Sequence, residues 1–221
     1  MILEIHDFLS PTELQRLQQI GAESTFLDGR LSNPHNKTKK NEQIDHSAPG
    51  YQESSQLVAN ALLRHEGFRD FAMPNKIAPP LMCKYEIGMA YGTHSDVALL
   101  PLKKLQMVLR SDISITVFLN DPASYDGGEL VLHLESRKVP IKLPAGGLVA
   151  YPSTLLHEVA EVTRGQRLVA ITFVESQIID ERQRHMIYSL GEVSALEGLT
   201  MKPENRQRLD LVRHNLIRMW S

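Results

Sequence analysis

One cysteine stands in a chain of 221 residues. Cys83 alone closes no internal disulfide and builds no zinc site from several thiolates. Charge of one sign is equally scarce: 24 Lys+Arg against 26 Asp+Glu leave a formal net charge of -2, which supplies no basic field for nucleic acid. No apolar run approaches the roughly 18 residues that a membrane-spanning helix requires. The first residues, Met1-Ile-Leu-Glu-Ile-His-Asp7, carry acids where a secretion signal would be basic and then apolar. The reading is therefore a cytoplasmic protein with neither nucleic acid nor membrane as partner. Disorder is excluded by a charged fraction of 23% and a hydrophobic fraction of 42%, both near the globular average. The length suffices for one ordinary domain with a real core, plus an appendage.

Ser10-Pro11-Thr12-Glu13 offers a capping hydroxyl, a proline at the first helical position and a capping-box glutamate. Leu14, Leu17 and Ile20 follow at helical spacing, so a helix is predicted to end near Gly21. Residues 32–50 are polar and rich in Asn, Lys and Pro, which reads as a long surface loop or ribbon. A second amphipathic helix fits about 52–66, with Leu57, Val58, Ala61 and Leu62 inward. After Pro79-Pro80 the period changes to two: Leu81, Cys83, Tyr85 and Ile87 alternate with Met82, Lys84 and Glu86. Further short strands are predicted at 113–119, 129–134, 138–143, 148–151, 156–162 and 167–175, separated by Gly-rich turns such as Asp126-Gly127-Gly128 and Arg164-Gly165. Strands at this spacing predict a sandwich or barrel with the N-terminal helices outside it. Residues 177–190 and 203–220 read as helices again. In the second of these, Leu209, Val212, Leu216 and Met219 form a stripe, widened by Leu211, Ile217 and Trp220. That stripe is expected to pack on the chain's own barrel, with self-association as the other outlet.

Of the 9 histidines, His6, His35, His46, His65, His185 and His214 sit in predicted loops or polar helix faces and read as ordinary surface residues. His133, mid-strand, is expected to face out. His94-Ser95-Asp96 differs, because residues two apart on an extended segment point to the same side. An imidazole and a carboxylate converging in this way are two-thirds of a two-His, one-carboxylate iron triad. Alone the triplet is weak, since roughly 0.4 such triplets arise by chance in this composition. His157 is the candidate third ligand; the bland reading is a strand-end histidine bonded to a carbonyl. Tyr85 and Tyr91 lie just upstream, and each phenol suits either a bound carboxylate or plain core packing.

Arg167 enters through hairpin geometry. With Thr163-Arg164-Gly165 as a three-residue loop and Gly165 left-handed, Glu161 pairs with Arg167, and residues 157, 161 and 167 share one face. A two-residue loop puts Arg167 on the other face. On the first geometry the guanidinium reaches a ligand bridging it to a metal, and its planar fork binds carboxylate bidentately. The plainer reading is a Glu161–Arg167 ion pair.

Three groups of residues resemble a known family in ordered combination. They are Tyr85-x2-Gly88-x2-Tyr91-x2-His94-x-Asp96, then Tyr125-Asp126-Gly127-Gly128-Glu129-Leu130, then Tyr151-Pro-Ser-x3-His157-Glu158-Val159 with Gly165-x-Arg167. Together they are similar to the prolyl-hydroxylase-like Fe(II)/2-oxoglutarate oxygenases, and more closely to the bacterial PKHD-type hydroxylases. Arg110-Ser111-Asp112-Ile113-Ser114, Asn120-Asp121-Pro122 and Lys142-Leu143-Pro144-Ala145-Gly146 fit that subgroup too. The resemblance implies a mainly β fold with flanking helices, a double-stranded β-helix or jelly-roll barrel, with its core over 78–176. A helical and loop segment, 1–77, would pack on that core, and a helical extension, 177–221, would follow it. It further implies Fe(II) held by His94, Asp96 and His157, with 2-oxoglutarate held by Arg167 and seated with help from Tyr85. L-ascorbate is implied as reductant, and the substrate as a small molecule or peptide that is hydroxylated with release of succinate and CO2. Phe173 stands where relatives often carry Trp. Two other readings remain at this point: a cupin-like metal enzyme that does not use 2-oxoglutarate, and a metal-binding module without turnover.

Overall fold

The structure is a computed structural model that describes residues 1–31, 36–102 and 106–221. Alternation along the strands explains the architecture. In β10 (Ile113–Phe118) every residue is buried, yet the two faces differ: Ile113, Ile115 and Val117 are apolar, while Ser114 and Thr116 alternate with them. β17 (Arg167–Ser176) repeats the pattern, with Leu168, Ala170 and Val174 on one face and Arg167, Val169, Ile171 and Phe173 on the other. A strand buried on both faces needs a layer on each side.

Those strands sit in the middle of a large antiparallel sheet. Its order is β1 (Leu3–Ile5), β14 (Leu148–Pro152), β10, β17, β6 (Leu81–Tyr85), β4 (Glu42–Ile44) and β2 (Phe26–Asp28), and β5 (Pro74–Ile77) pairs with the far end of β17. The outer face carries α1 (Pro11–Glu23), α2 (Pro49–Arg64) and α3 (Glu66–Ala72), whose Leu17, Ile20, Val58, Leu62, Phe68 and Phe71 join Ile113, Ile115, Val117 and Leu168 in one core. The inner face meets a smaller antiparallel sheet, in the order β13 (Arg137–Ile141), β12 (Leu130–Leu134), β15 (His157–Val159), β7 (Ala90–His94) and β3 (Lys39–Lys40). Between the sheets lies a second core that includes Tyr85, Phe118, Leu130, Leu132, Tyr151 and Val169. Two sheets closed in this way form the double-stranded β-helix, with the helices on one side.

The α1 start follows the sequence. Ser10 Oγ accepts from Glu13 N at 3.3 Å, and Glu13 Oε2 accepts from Ser10 N at 2.9 Å. Glu13 also accepts two bonds from Arg64 at 2.7 and 2.9 Å, which ties α1 to α2. The helix expected over 52–66 divides at His65, whose Nδ1 accepts from Phe68 N and starts α3. Segment 32–50 is less of a surface loop than expected: β3 and β4 lie within it, and Lys39, Asn41, Gln43 and Ile44 are buried. Ser32, Asn33, Pro34 and His35 of that segment fall outside the described residues. Between Asp96 and β10 the chain forms a two-stranded ribbon, β8 (Leu99–Leu102) and β9 (Met107–Arg110), whose residues 103–105 are outside the described residues.

Two expectations are corrected. The C-terminal stripe does not bury itself on the barrel. α5 (Pro203–Trp220) contains no buried residue; it lies along α4 (Glu181–Glu197), with Ser194 Oγ 3.3 Å from Asp210, and Met219 remains 72% exposed. Four-residue spacing gives a helix but does not supply a partner face. The second correction concerns the turn before β17. Gly165 is left-handed as expected, at φ +71°, and an added Cβ would stand 2.3 Å from Ser124 O. Yet Val162–Arg164, which is β16, pairs with β11 (Asp126–Gly127) and not with β17. Glu161 is therefore not the partner of Arg167; Tyr85 is.

Candidate metal and carboxylate site

His94 is the last residue of β7 and His157 the first of β15, and the antiparallel register sets them directly opposite each other. Their ring centroids are 4.3 Å apart. Asp96 follows two residues after His94 and brings Oδ1 to 4.0 Å from His94 Nε2 and Oδ2 to 3.7 Å from His157 Nε2. One donor atom from each of the three lies within 4.8 Å of the others, the only such group of metal-ligating side chains among the described residues.

Backbone carbonyls orient both imidazoles. His94 Nδ1 lies 2.8 Å from Gly92 O, and His157 Nδ1 lies 3.0 Å from Leu155 O. A carbonyl can only accept, so each Nδ1 carries a hydrogen, and Nε2, the atom that faces Asp96, is the one left to a metal. Burial first, and then the neighbouring His157, hold the His94 pKa below its ordinary value. Neutral rings are what a cation requires of its ligands. Asp96 Oδ2 accepts from Ser114 Oγ at 2.5 Å, and Ser114 continues through Ser153 (2.7 Å) to Ser111 (2.9 Å). On the outer face of the small sheet, Glu158 accepts from Thr93 Oγ1 and, at 2.8 Å, from Lys138 Nζ. These bonds clamp the strands that carry His94 and His157. His133 is on that outer face as expected, 3.6 Å from Glu158.

Arg167 lines the same cavity from the large sheet. Only 2% of it is exposed, it joins no ion pair among the described residues, and its Nε has no hydrogen-bond partner. Its guanidinium lies 4.9 Å from the centre of the Tyr85 ring and 5.8 Å from that of Phe118. Burying such a charge is costly unless something anionic meets it. Burial raises the pKa of the Tyr85 and Tyr151 phenols well above ordinary values, so both keep their protons and remain donors. Tyr91 stacks on the His94 ring at 3.6 Å, and Tyr151 meets His157 edge-on at 5.2 Å. Phe173 and Ile171 complete an apolar wall.

The five residues singled out from the sequence thus line one cavity: His94, Asp96, His157, Arg167 and Tyr85. Sequence reasoning gave no role to Ser111, Ser114 and Ser153, although Arg110-Ser111-Asp112-Ile113-Ser114 stood out as a motif. For Ser114 the signal was a polar residue at the inward parity of a strand whose other face is Ile, Ile and Val. Two imidazoles and a carboxylate fit a ferrous ion with open positions. The buried guanidinium with an orphan donor fits a carboxylate.

Comparison with known proteins agrees. The profile of the 2OG-Fe(II) oxygenase superfamily matches residues 81–175. A PKHD-type hydroxylase of Sphingopyxis alaskensis is 44% identical over 99% of both chains. Among solved structures, a Trichoplax adhaerens prolyl hydroxylase in complex with a peptide fragment of hypoxia inducible factor shares the fold at TM-score 0.57, with 17% identity over 84% of this chain and 86% of its own. HygX of Streptomyces hygroscopicus, solved with nickel and 2-oxoglutarate bound, shares it at TM-score 0.54, with 13% identity over 77% and 81%. The chain belongs to the 2OG-Fe(II) oxygenase superfamily as a PKHD-type hydroxylase, an enzyme dependent on Fe(II) and 2-oxoglutarate.

Proposed function

We propose that His94, Asp96 and His157 hold the ferrous ion and that Arg167, assisted by Tyr85, holds the distal carboxylate of 2-oxoglutarate. The observation that carries this reading is the buried Arg167, facing the three metal-ligating side chains across one cavity with an unpartnered Nε. When bound, the iron supplies the oxidising chemistry: 2-oxoglutarate and O2 become succinate and CO2, and one oxygen atom enters a substrate C–H bond. This chain's own residues do the rest. The carbonyls of Gly92 and Leu155 fix the imidazole tautomers, and Ser114 holds the Asp96 carboxylate in position. Arg167 neutralises one end of the cosubstrate while the Tyr85 phenol, its cross-strand neighbour, donates to the same end. The walls of Ile171, Phe173 and Leu130 exclude water. A cupin-like enzyme that does not use 2-oxoglutarate leaves the buried Arg167 without a purpose.

The same reading takes L-ascorbate as the reductant that keeps iron ferrous, and the cytoplasm as the compartment, which suits a single buried thiol. The core over 78–176 supplies every proposed ligand, with 1–77 and 177–221 as flanking segments. The substrate is a small molecule or peptide and not a nucleic acid, given the absent basic field. No described helix is long and apolar enough to cross a membrane. Anaerobic loading with Fe(II) and 2-oxoglutarate, followed by O2 and an assay for succinate, tests the proposal. Succinate formed in proportion to 2-oxoglutarate consumed is expected, and its absence from iron-loaded protein would contradict the reading.

A further inference from the structure

Tyr125 is 1% exposed and stands just before β11, at the head of Tyr125-Asp126-Gly127-Gly128. Its ring meets the stem of Arg167 in the space that Gly128 leaves. That glycine is left-handed at φ +67°, and an added Cβ would stand 3.0 Å from Arg167 Cδ and 3.1 Å from Tyr125 Cε2. Lys142 pins the tyrosine, with Nζ 3.9 Å from the ring centre and donating to Tyr125 O at 2.7 Å. Burial raises the pKa of the phenol, while the Arg167 guanidinium acts in the opposite sense, by its charge and as a hydrogen-bond partner. The phenol is thus neutral, and its oxygen is within reach of an Arg167 N–H.

Among the described residues that line the metal-site cavity are Arg167 and Tyr85, and Tyr125 is not one of them. It therefore acts on a ligand there only through Arg167. The Tyr85 and Phe118 rings, 4.9 and 5.8 Å from the guanidinium carbon, attract the cation but do not choose which N–H points where. A hydrogen-bond acceptor does choose, because a guanidinium presents its donors in one rigid fork. The chemistry of that acceptor matters equally. A carboxylate in this place would neutralise Arg167 and compete with an incoming anion. A neutral phenol orients the cation and leaves its charge to the ligand. Arg167 Nε, which has no partner, is a donor left over for that purpose.

We propose that Tyr125 is a positioning residue for the cosubstrate: its phenol oxygen takes one terminal N–H of Arg167 and turns the remaining fork, Nε included, toward the cavity. A guanidinium held at one place and one angle fits a dicarboxylate of one length. Tyr125 therefore sets the preference for 2-oxoglutarate over 2-oxoadipate, its homologue one carbon longer. This inference rests on the proposed Arg167 assignment, and its test separates the two.

Anaerobic, Mn(II)-loaded protein is titrated calorimetrically with 2-oxoglutarate and with 2-oxoadipate, as wild type, Tyr125→Phe and Arg167→Leu. Thermal melting and Mn(II) affinity are measured for each protein. Wild type should bind 2-oxoglutarate at least about tenfold more tightly than 2-oxoadipate. Tyr125→Phe keeps the ring and removes only the oxygen. It should lose about tenfold or more in 2-oxoglutarate affinity and less than about threefold in 2-oxoadipate affinity, with melting and Mn(II) binding unchanged. The selectivity is the readout that a merely structural role would not move, because a loosened barrel weakens both ligands alike. Unchanged 2-oxoglutarate affinity in Tyr125→Phe overturns the proposal, as does an equal loss for both ligands or a wild type that does not distinguish them. A Tyr125→Phe protein that loses its fold or its Mn(II) overturns it too, since the phenol then holds the barrel and not the guanidinium. Wild-type 2-oxoglutarate affinity in Arg167→Leu fails the underlying assignment instead.

Discussion

Replacing Arg167 with Leu should move two measurable quantities in opposite directions. The guanidinium is 2% exposed and has no carboxylate partner among the described residues, and its Nε makes no hydrogen bond. In protein without cosubstrate this is a desolvated charge that meets, among the described residues, the Tyr85 and Phe118 rings and the nearby Tyr125 phenol. Exchanging such a charge for an apolar side chain is often neutral or stabilising, by about 1–4 kcal/mol. On the proposed assignment the same change also removes a charge-assisted, two-pronged contact to 2-oxoglutarate, which should cost about 2–5 kcal/mol, roughly thirtyfold to several thousandfold in affinity. Arg167→Leu is therefore expected to melt no lower than wild type when free, and to bind 2-oxoglutarate far more weakly in calorimetric titration of Mn(II)-loaded protein. Mn(II) affinity should stay the same. Unchanged 2-oxoglutarate affinity would refute the reasoning, and a free protein that loses several kcal/mol would show that Arg167 is a structural cation already satisfied by the fold.

Three further outcomes follow from other parts of the molecule. Ser114→Ala removes the 2.5 Å bond to Asp96 and should weaken metal binding about 10–100-fold in equilibrium dialysis with little change in melting. Arg64, through its hydrogen bonds, leads the causes that lower the Glu13 pKa from 4.5 to about 2. A depressed carboxylate stabilises the fold fully above the unfolded pKa and loses that contribution as pH falls toward the folded one. Because Arg64 is largely exposed, Glu13→Gln should cost only about 1–2 kcal/mol at pH 7, and in urea titrations the difference should shrink between about pH 4.5 and 2. Val212→Glu, at a half-exposed position of a helix with no buried residue, should alter stability by less than about 0.5 kcal/mol, and a fall in mass by light scattering would mark α5 as a self-association surface.

The sequence exposed the strands because a two-residue period is hard to imitate, and β10, β14 and β17 all lie within a residue or so of their predicted ends. His94, Asp96 and His157 were legible as residue types at a spacing, and the β7–β15 register supplied what spacing could not, the meeting of two strands far apart in the chain. Arg167 was identified by a pairing the structure does not contain. The better signal was parity within its own strand, where Arg167 shares a face with Val169, Ile171 and Phe173. Segment 32–50 reads as a surface loop because most of it is polar, and the pairing of β3 with β7 is what buries Lys39 while Lys40 stays exposed. The fate of α5 was beyond the sequence for a related reason, since an amphipathic stripe specifies a helix without specifying its partner.

The most direct test of the central claim is iron stoichiometry in one set of proteins: wild type, Asp96→Ala and His157→Ala, dialysed anaerobically against Fe(II). One iron per chain in wild type, with most of that affinity lost in both variants while circular dichroism is retained, is the predicted result. Full iron occupancy in Asp96→Ala would contradict the account, because the carboxylate that lies within 4.0 Å of both imidazoles would then hold nothing.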